Sequence, residues 1–389
     1  MSAAWDIVIV GGGLSGLALA AELSQPVFTK LRILVLEART DYVRDRTWSY
    51  WRSESQPAHA YAHLERARWN RWRVGQGDRL ATQQHSTTHY CTLDADAFYQ
   101  EALRKVRACQ HIELRLGAPV KAVVDGVTPT VRTSSLEAIS ASWICDARPP
   151  APKHGASLVQ QFAGWEVRTQ QDVFDVNTVD LMRFETCEQG LHFFYVLPYS
   201  ARGALIESTW VSAANVKPDY EAELQHYTQQ ILGKQNFEIT YREKGVLPLQ
   251  SVPRKLGQRV LPIGSNAGTL RPSTGYAFID TLQHTQQLTK SLLQSLGQNP
   301  NGDALQNWQP PQFARPAIDL WMDRVFLDVL QNDWSRAPEF FLQMFEHVDT
   351  ANLLAFLTGN ATLAQRMAVA RVLPKSPFLS AAMRQFFKP

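Results

Sequence analysis

One carboxylate, Glu207, stands inside GALIESTW, residues 203–210, a run that otherwise reads as a buried strand. A carboxyl in that setting has two readings. It can pair with an arginine at a strand edge, or it can be a functional acid whose pKa is raised by burial. The other residues with chemical meaning are glycines. In DIVIVGGGLSGLALAAEL, residues 6–23, Gly11, Gly13 and Gly16 follow a β-branched stretch and open an Ala/Leu-rich one. Strand, turn and helix in that order are the context a dinucleotide fingerprint needs. Gly11 permits the tight turn, Gly13 lets the backbone approach a pyrophosphate, and Gly16 lets the helix pack closely on the strand. The amides of Leu14, Ser15 and Gly16 then lie at a helix N-terminus, free for phosphate oxygens.

The elements that must hold these residues can be read around them. A second strand pattern, LRILVLEA at 31–38, carries Glu37 about twenty residues after the glycine turn, where an acid accepts hydrogen bonds from a ribose. A nucleotide unit that opens the chain favours FAD over a nicotinamide by analogy with two-domain flavoproteins. Two later segments fit the same unit. WICDARPP (143–150) reads as a strand ending at Asp146, and VLPIGSNAGTLRPSTGYAF (260–278) reads as a strand, a small-residue loop and a helix start. Many FAD proteins end that late strand in Gly-Asp, whereas this chain has Gly264 and Ser265, so loop amides up to Gly275 are left to face the flavin.

Between 151 and 245 the pattern alternates apolar and polar residues with many aromatics, as in an antiparallel sheet of hairpins, with a turn in Pro198–Gly203. Glu207 then lies across from residues near Phe194 and Val196, its face undetermined to within one register step. From about residue 305 the chain reads as helical, with Ile318, Trp321, Met322, Val325 and Val329 on one stripe. Its large apolar residues, Phe340, Phe341, Phe378, Phe386 and Phe387 among them, fit a packed core, a long apolar tunnel or a membrane interface. The Gln/Thr/His-rich stretch at 75–90 reads as solvated, mobile loops. The expected architecture is mixed α/β and α+β. A discontinuous Rossmann-type FAD-binding domain (1–150 and 245–304) carries an antiparallel-sheet substrate domain (151–244) and a helical C-terminal region (305–389).

Composition narrows the function classes. The 389 residues are 45% hydrophobic, enough for a sizeable core, and the balance of 39 Lys and Arg against 36 Asp and Glu leaves no basic footprint for nucleic acid. Cys91, Cys109, Cys145 and Cys187 form no CxxC pair, which argues against a zinc site or a disulfide framework. The N-terminus lacks the basic region of a signal peptide, and no apolar run reaches roughly 18 residues, so any membrane association is expected to be peripheral.

Several stretches taken together carry a family resemblance: GGGLSG, DRTWSYW (45–51), QQFAGWEV (160–167), DLMRF (180–184), YVLPYSARGALIESTW (195–210), RPSTGYAF (271–278) and the C-terminal GNATLAQRMAVARVLPKSPFLSAA. In order and spacing, over nearly the whole chain, these resemble the flavin-dependent lycopene β-cyclases of bacteria and plants. One departure is that Ser208 follows Glu207 where relatives carry a second acid or an Asp. The resemblance implies an isomerase that closes β-rings on lycopene, through γ-carotene to β-carotene, with no net redox change. It implies FAD in its reduced form, with NAD(P)H or another donor keeping it reduced. Its substrate would be an acyclic carotenoid, insoluble in water, which places the protein peripherally on the cytoplasmic face of the inner membrane. Glu207 would be the acid that starts ring closure, and Glu166 its partner, base or relay. Trp48, Tyr50, Phe194, Tyr195 and Tyr276 would line the substrate cavity. The rival readings are a flavin monooxygenase or prenyl-chain reductase on the same fold and, more remotely, a non-catalytic carotenoid carrier.

Overall fold

The structure is a computed structural model that describes residues 5–149, 158–233, 235–249, 255–298 and 304–386. The first sheet is seven-stranded. Its parallel centre runs β8 (Ile112–Arg115), β2 (Ile33–Leu36), β1 (Trp5–Val10) and β11 (Ala138–Asp146), and β17 (Val260–Pro262) pairs in parallel with the end of β11. Residues 7–10 and 33–36 are buried throughout, which is why these strands read as continuous apolar runs: both faces are covered. Helices α1 (Leu14–Glu22), α2 (Ala95–Arg107) and α4 (Phe278–Gln298) pack on the face of Ile7, Ile9 and Val35. Strands β9 (Val120–Val124) and β10 (Thr130–Thr133) continue the sheet from β11 and close over Val8, Val10 and Leu34.

The second sheet has the order β16-β12-β15-β14-β13-β5-β6. Its strands are β5 (Arg71–Gln76), β6 (Arg79–Gln84), β12 (Leu158–Thr169), β13 (Thr178–Glu185), β14 (Gly190–Ser200), β15 (Gly203–Ala213) and β16 (Phe237–Pro248). The hairpins expected between 151 and 245 are present, but the sheet does not respect the expected boundaries. The β5–β6 hairpin is contributed from within the first 150 residues and joins β13 in parallel, and β16 continues past residue 244. The boundary at 150/151 lies outside the described residues. The stretch at 75–90 is not a set of loops: it forms the end of β5, the whole of β6 and the start of β7 (Thr88–Asp94). Exposed Leu80, Thr82 and Gln84 alternate with buried Ala81 and Gln83, so composition hid a period-two pattern.

One face of the second sheet is covered by α3 (Tyr220–Leu232), against Trp165, Phe194 and Ile206. The opposite face is roofed by a three-stranded sheet of β3 (Thr47–Ser53), β7 and β4 (Ala67–Trp69). The short α5 (Ala304–Asn307) packs on the nucleotide side, where Trp143 donates to the Leu305 carbonyl, while beside the roof pack the helices α6 (Ala317–Asn332), α7 (Ala337–His347), α8 (Thr350–Leu357) and α9 (Leu363–Val372), with α10 (Lys375–Phe386) laid against α6. The expected stripe on α6 is only half internal: Val325 and Val329 are buried while Ile318 is 41% exposed. The helix buries three aspartates instead, Asp319, Asp323 and Asp328, ion-paired with Arg366, Arg271 and Arg384. Among the described residues no helix is long and apolar enough to cross a membrane.

Candidate active site

Strand register puts four residues in one row on the roofed face: Tyr195 on β14 faces Glu207 on β15, Glu207 faces Gly164 on β12, and Gly164 faces Glu243 on β16. The glycine is the residue between the two acids. A Cβ at residue 164 would stand 3.2 Å from the Glu243 Cγ and 3.2 Å from the Leu205 Cδ1, so even a methyl group there would press on the Glu243 side chain. Both acids are buried, Glu207 at 9% exposure and Glu243 at 6%.

The two carboxyls are held differently. Glu207 accepts a short hydrogen bond from the Thr209 hydroxyl two residues along its own strand. Burial pushes its pKa well above the ordinary carboxylate range, and the charge of Glu243 adds to the rise. Burial also raises Glu243, but its carboxylate accepts hydrogen bonds from the Thr47 hydroxyl at 3.0 Å and the Tyr241 hydroxyl at 3.0 Å, and Arg44 lies near enough to lower it. Donors and a cation favour the ionised form of Glu243, while Glu207 has one donor and no cation. Of the two, Glu207 is therefore the carboxyl held further toward its protonated form, and like charges in a dry site oppose ionising both.

Aromatic rings close the row at its other end. The Tyr195 hydroxyl donates to Ser49 Oγ at 2.9 Å and also bonds the Tyr90 hydroxyl at 2.9 Å. Trp51 packs on Tyr90 with ring centroids 4.6 Å apart, and Tyr276 lies 6.5 Å from Tyr90. Thr47, Ser49 and Trp51 alternate along β3, so one face of that strand serves the site.

The other face of β3 does not. Trp48 packs against Phe98 and Phe278, and Tyr50 stacks on Phe278 at 4.7 Å, both on the nucleotide-domain side. Phe194 points to the opposite face of its sheet and stacks on Tyr227 at 3.8 Å. Three of the five expected cavity residues are thus one step out of phase, and Tyr195 and Tyr276 remain on the site. Glu166 shares the face of Glu207 but is clamped by Arg44 at 2.7 Å and by two hydrogen bonds from Arg66 at 2.7 and 2.8 Å. Burial alone would raise it, yet the bonds from Arg66 and Arg44 overcome that and hold it below the ordinary value. It is an ionised anchor, and the carboxyl that meets Glu207 is Glu243, which sequence reasoning missed. The signal was confined to the short alternation of Tyr241, Glu243 and Gly245, since a register shift sends Ile239 to the other face, and a charged residue in a strand reads first as solvent-facing. Ser208 is buried on the α3 side, bonded to His192 at 3.0 Å and Glu223 at 2.5 Å, so the departure noted beside Glu207 lies away from the acid pair.

The glycine turn is built as a cradle. Gly11 has φ +98°, and a Cβ on Gly16 would collide with the Gly11 carbonyl oxygen. Beyond Gly13 the space is open, the nearest atom to a Cβ there being the Arg39 guanidinium nitrogen at 3.6 Å. No side chain caps the start of α1, so the amides of Leu14, Ser15 and Gly16 keep their donor capacity for an anion. Glu37 ends β2 beside this turn and accepts from the amides of Gly12 and Arg39. Gly264 has φ +64° and lies so close to Ser15 that a Cβ would collide with the serine side chain. Asp146, buried at the end of β11, is bonded to Arg148 at 2.8 Å and 2.9 Å, and its backbone carbonyl accepts from Asn266. Gly275 has φ +71° with the Gln160 amide oxygen 2.7 Å from where a Cβ would stand, which puts the 271–276 loop against the second sheet. These residues converge on the C-terminal ends of the parallel strands, where such sheets take nucleotides.

Two cavities, about 610 and 240 Å³, lie on the other side of the second sheet, each lined in part by α3 residues such as Gln229 and Tyr227. Neither contains the acid pair.

A family model described as lycopene cyclase protein matches residues 6–383. A lycopene beta-cyclase from Paracoccus sp. (strain N81106 / MBIC 01143) is 26% identical, the alignment covering 97% of this chain and 96% of that one. Among solved structures, a geranylgeranyl bacteriochlorophyll reductase-like protein from Thermoplasma acidophilum aligns with TM-score 0.57 and 12% identity over 98% of this chain and 96% of its own. The halogenase PltM aligns with TM-score 0.60 and 14% identity over 99% and 93%, and it has also been solved with FAD bound. At these identities the two structures speak for the fold alone.

Proposed function

The chain belongs to the lycopene cyclase family, and from that premise we propose that it closes β-rings at the ψ-ends of lycopene, with Glu207 as the acid. The observation that carries this reading is the buried Glu207–Glu243 pair under a roof of aromatic rings, both carboxyls raised by desolvation and Glu207 the one with less support for its ionised form.

Ring closure is an isomerisation, so what enters as a proton must leave as one. The Glu207 carboxyl donates its proton to C2 of the terminal C1=C2 bond, leaving a tertiary cation at C1. The C5=C6 electrons form the C1–C6 bond and move the charge to C5. Loss of the proton from C6 restores the C5=C6 double bond of a β-ring. C2 and C6 are both attached to C1, so the same carboxyl pair reaches both proton positions, and the proton recovered from C6 returns to it. Glu243 keeps the proton on Glu207 before the step and opposes the cation after it. The rings of Trp51, Tyr90, Tyr195 and Tyr276 stabilise a passing cation by about 0.5–2 kcal/mol each, without the nucleophile that water would bring.

Reduced FAD fits the cradle. The amides of residues 14–16 would hold its pyrophosphate, Glu37 its ribose, and Asp146 with the loops at Gly264 and Gly275 would meet the rest. When bound and kept reduced, NAD(P)H being the natural donor class, it would supply negative charge near the cation with no net transfer of electrons. An acyclic carotenoid dissolves in lipid, so the protein would work against a membrane surface, the cytoplasmic face of the inner membrane in a bacterium.

The test is expression in bacterial cells that accumulate lycopene, beside Glu207→Gln, with extracted pigments separated by chromatography. Conversion to β-carotene or γ-carotene by the native chain, and its loss in a variant that still binds flavin, supports the reading. Untouched lycopene with the native chain overturns the substrate. Turnover that consumes oxygen or reductant in proportion to product would move the assignment to the monooxygenase or reductase chemistry of the same fold.

A further inference from the structure

The last two helices turn apolar residues outward. On α10, Leu379, Met383 and Phe386 stand one helical turn apart and are 60%, 59% and 77% exposed. On α9, Leu363 and Met367 repeat the pattern at 68% and 47%. A helix packed on a water-facing protein turns such a stripe inward. Here the fully buried positions are Val369 and Ala381, and two ion pairs fix the orientation: Arg366 of α9 bonds Asp319 at 2.7 Å, and Arg384 of α10 bonds Asp328, both acids lying buried on α6.

Charge says what covers this face. From residue 350 to the end there is no Asp or Glu, while Arg366, Arg371, Lys375, Arg384 and Lys388 are cationic, the last of them beyond the described residues. The whole chain carries only +3, so the rest of it is slightly negative. Arg366 and Arg384 are answered by the buried acids of α6, and the cations left to the outer face are Arg371 and Lys375, exposed where α9 meets α10. A second copy brought face to face would set these cations against each other with no acid to answer them. An anionic lipid surface answers both features: apolar side chains enter the acyl boundary and the cations meet headgroups.

We propose that the outer face of α9 and α10 docks the protein on an anionic lipid bilayer. The inference deepens the proposed function, resting on it only for the purpose of docking, since a lipid-soluble substrate would be collected there. Inward, Val369 and Leu373 belong to the same apolar cluster as Leu205 and Tyr195 on the face of Glu207, so the docking helices and the acid pair share one core.

The experiment is co-sedimentation of the full chain with vesicles of phosphatidylcholine mixed with phosphatidylglycerol, against phosphatidylcholine alone, without turnover. Native protein is expected to bind the mixed vesicles, less tightly at high salt and on neutral vesicles. Replacing Leu379, Met383 and Phe386 together by Gln should weaken binding at least about tenfold with the melting temperature unchanged. Arg371→Glu with Lys375→Glu should abolish the preference for anionic vesicles. The proposal is overturned if the native chain ignores the mixed vesicles, if both variants bind like it, or if it is a dimer that the Gln variant makes monomeric. Because no product is measured, failure of the cyclase reading would leave this result standing, and the reverse.

Discussion

Glu207 and Glu243 face each other across Gly164, two strands apart in one sheet, with the ionised form of Glu243 supported by Thr47, Tyr241 and Arg44 and that of Glu207 by Thr209 alone. The asymmetry makes Glu207 the more readily protonated of the two. An acid near neutral pH is what protonation of an alkene demands, and the fold makes one by desolvation and like charge.

If Glu207 must be protonated, activity is present below the raised pKa of the pair and falls as pH climbs through it. Glu243→Gln removes the like charge, so the Glu207 pKa drops and the alkaline limb moves to lower pH. A pH profile of lycopene conversion in detergent checks this. A limb that stays in place would show that Glu243 does not act on Glu207.

Glu207→Gln is expected to lose about 10²–10⁴ in rate, the range of a general acid, while Glu166→Gln keeps the alkaline limb of the native protein because Glu166 is ionised throughout. A silent Glu207→Gln would place the acid elsewhere.

The same pair costs stability. Its carboxyls have raised folded pKa values, so between the ordinary carboxylate pKa and the raised one the unfolded chain releases protons that the folded one keeps, and stability falls as pH rises across that window. Glu207→Gln should therefore melt above the native protein at pH 8 by about 1–3 °C, the gain vanishing near pH 4. Calorimetry at the two pH values gives the answer. An equal shift at both would assign the effect to packing.

Gly164→Ala places a methyl against Glu243 and Leu205 at 3.2 Å, tight enough to push the carboxyls apart. The expected outcome is about a tenfold fall in conversion, with the alkaline limb moved to lower pH and the fold retained by circular dichroism. An unmoved limb would mean that the pair does not depend on the glycine.

Gly264→Ala introduces a Cβ at φ +64° and against Ser15. Purified protein should carry at least about tenfold less flavin by absorbance. Full flavin content in this variant would separate the Gly264 loop from the cofactor.

The nucleotide cradle was legible in the chain because every part of it is local. A β-branched strand, glycines at set spacing and an acid at the next strand end act within one βαβ unit, and backbone conformation there depends on the absence of side chains. Glu207 was legible for a related reason, as a charge in an otherwise apolar run. The partner of Glu207 was not. Glu243 lies thirty-six positions on in the chain and is brought across Gly164 only when β15, β12 and β16 pair in register. The phase of each strand was also out of reach: Trp48, Tyr50 and Phe194 have the right composition and the wrong face, because one residue of register inverts every side chain. Glu166 shows the same limit in charge. Its sequence neighbours are apolar, and the arginines that ionise it, Arg44 and Arg66, lie more than a hundred positions or about a hundred away in the chain but within 2.8 Å in space. Local spacing thus pointed to the nucleotide cradle and singled out Glu207 as a carboxyl in an apolar run, whereas its pairing with Glu243, and the unequal support of the two carboxyls, was decided by strand register and by the burial that register creates.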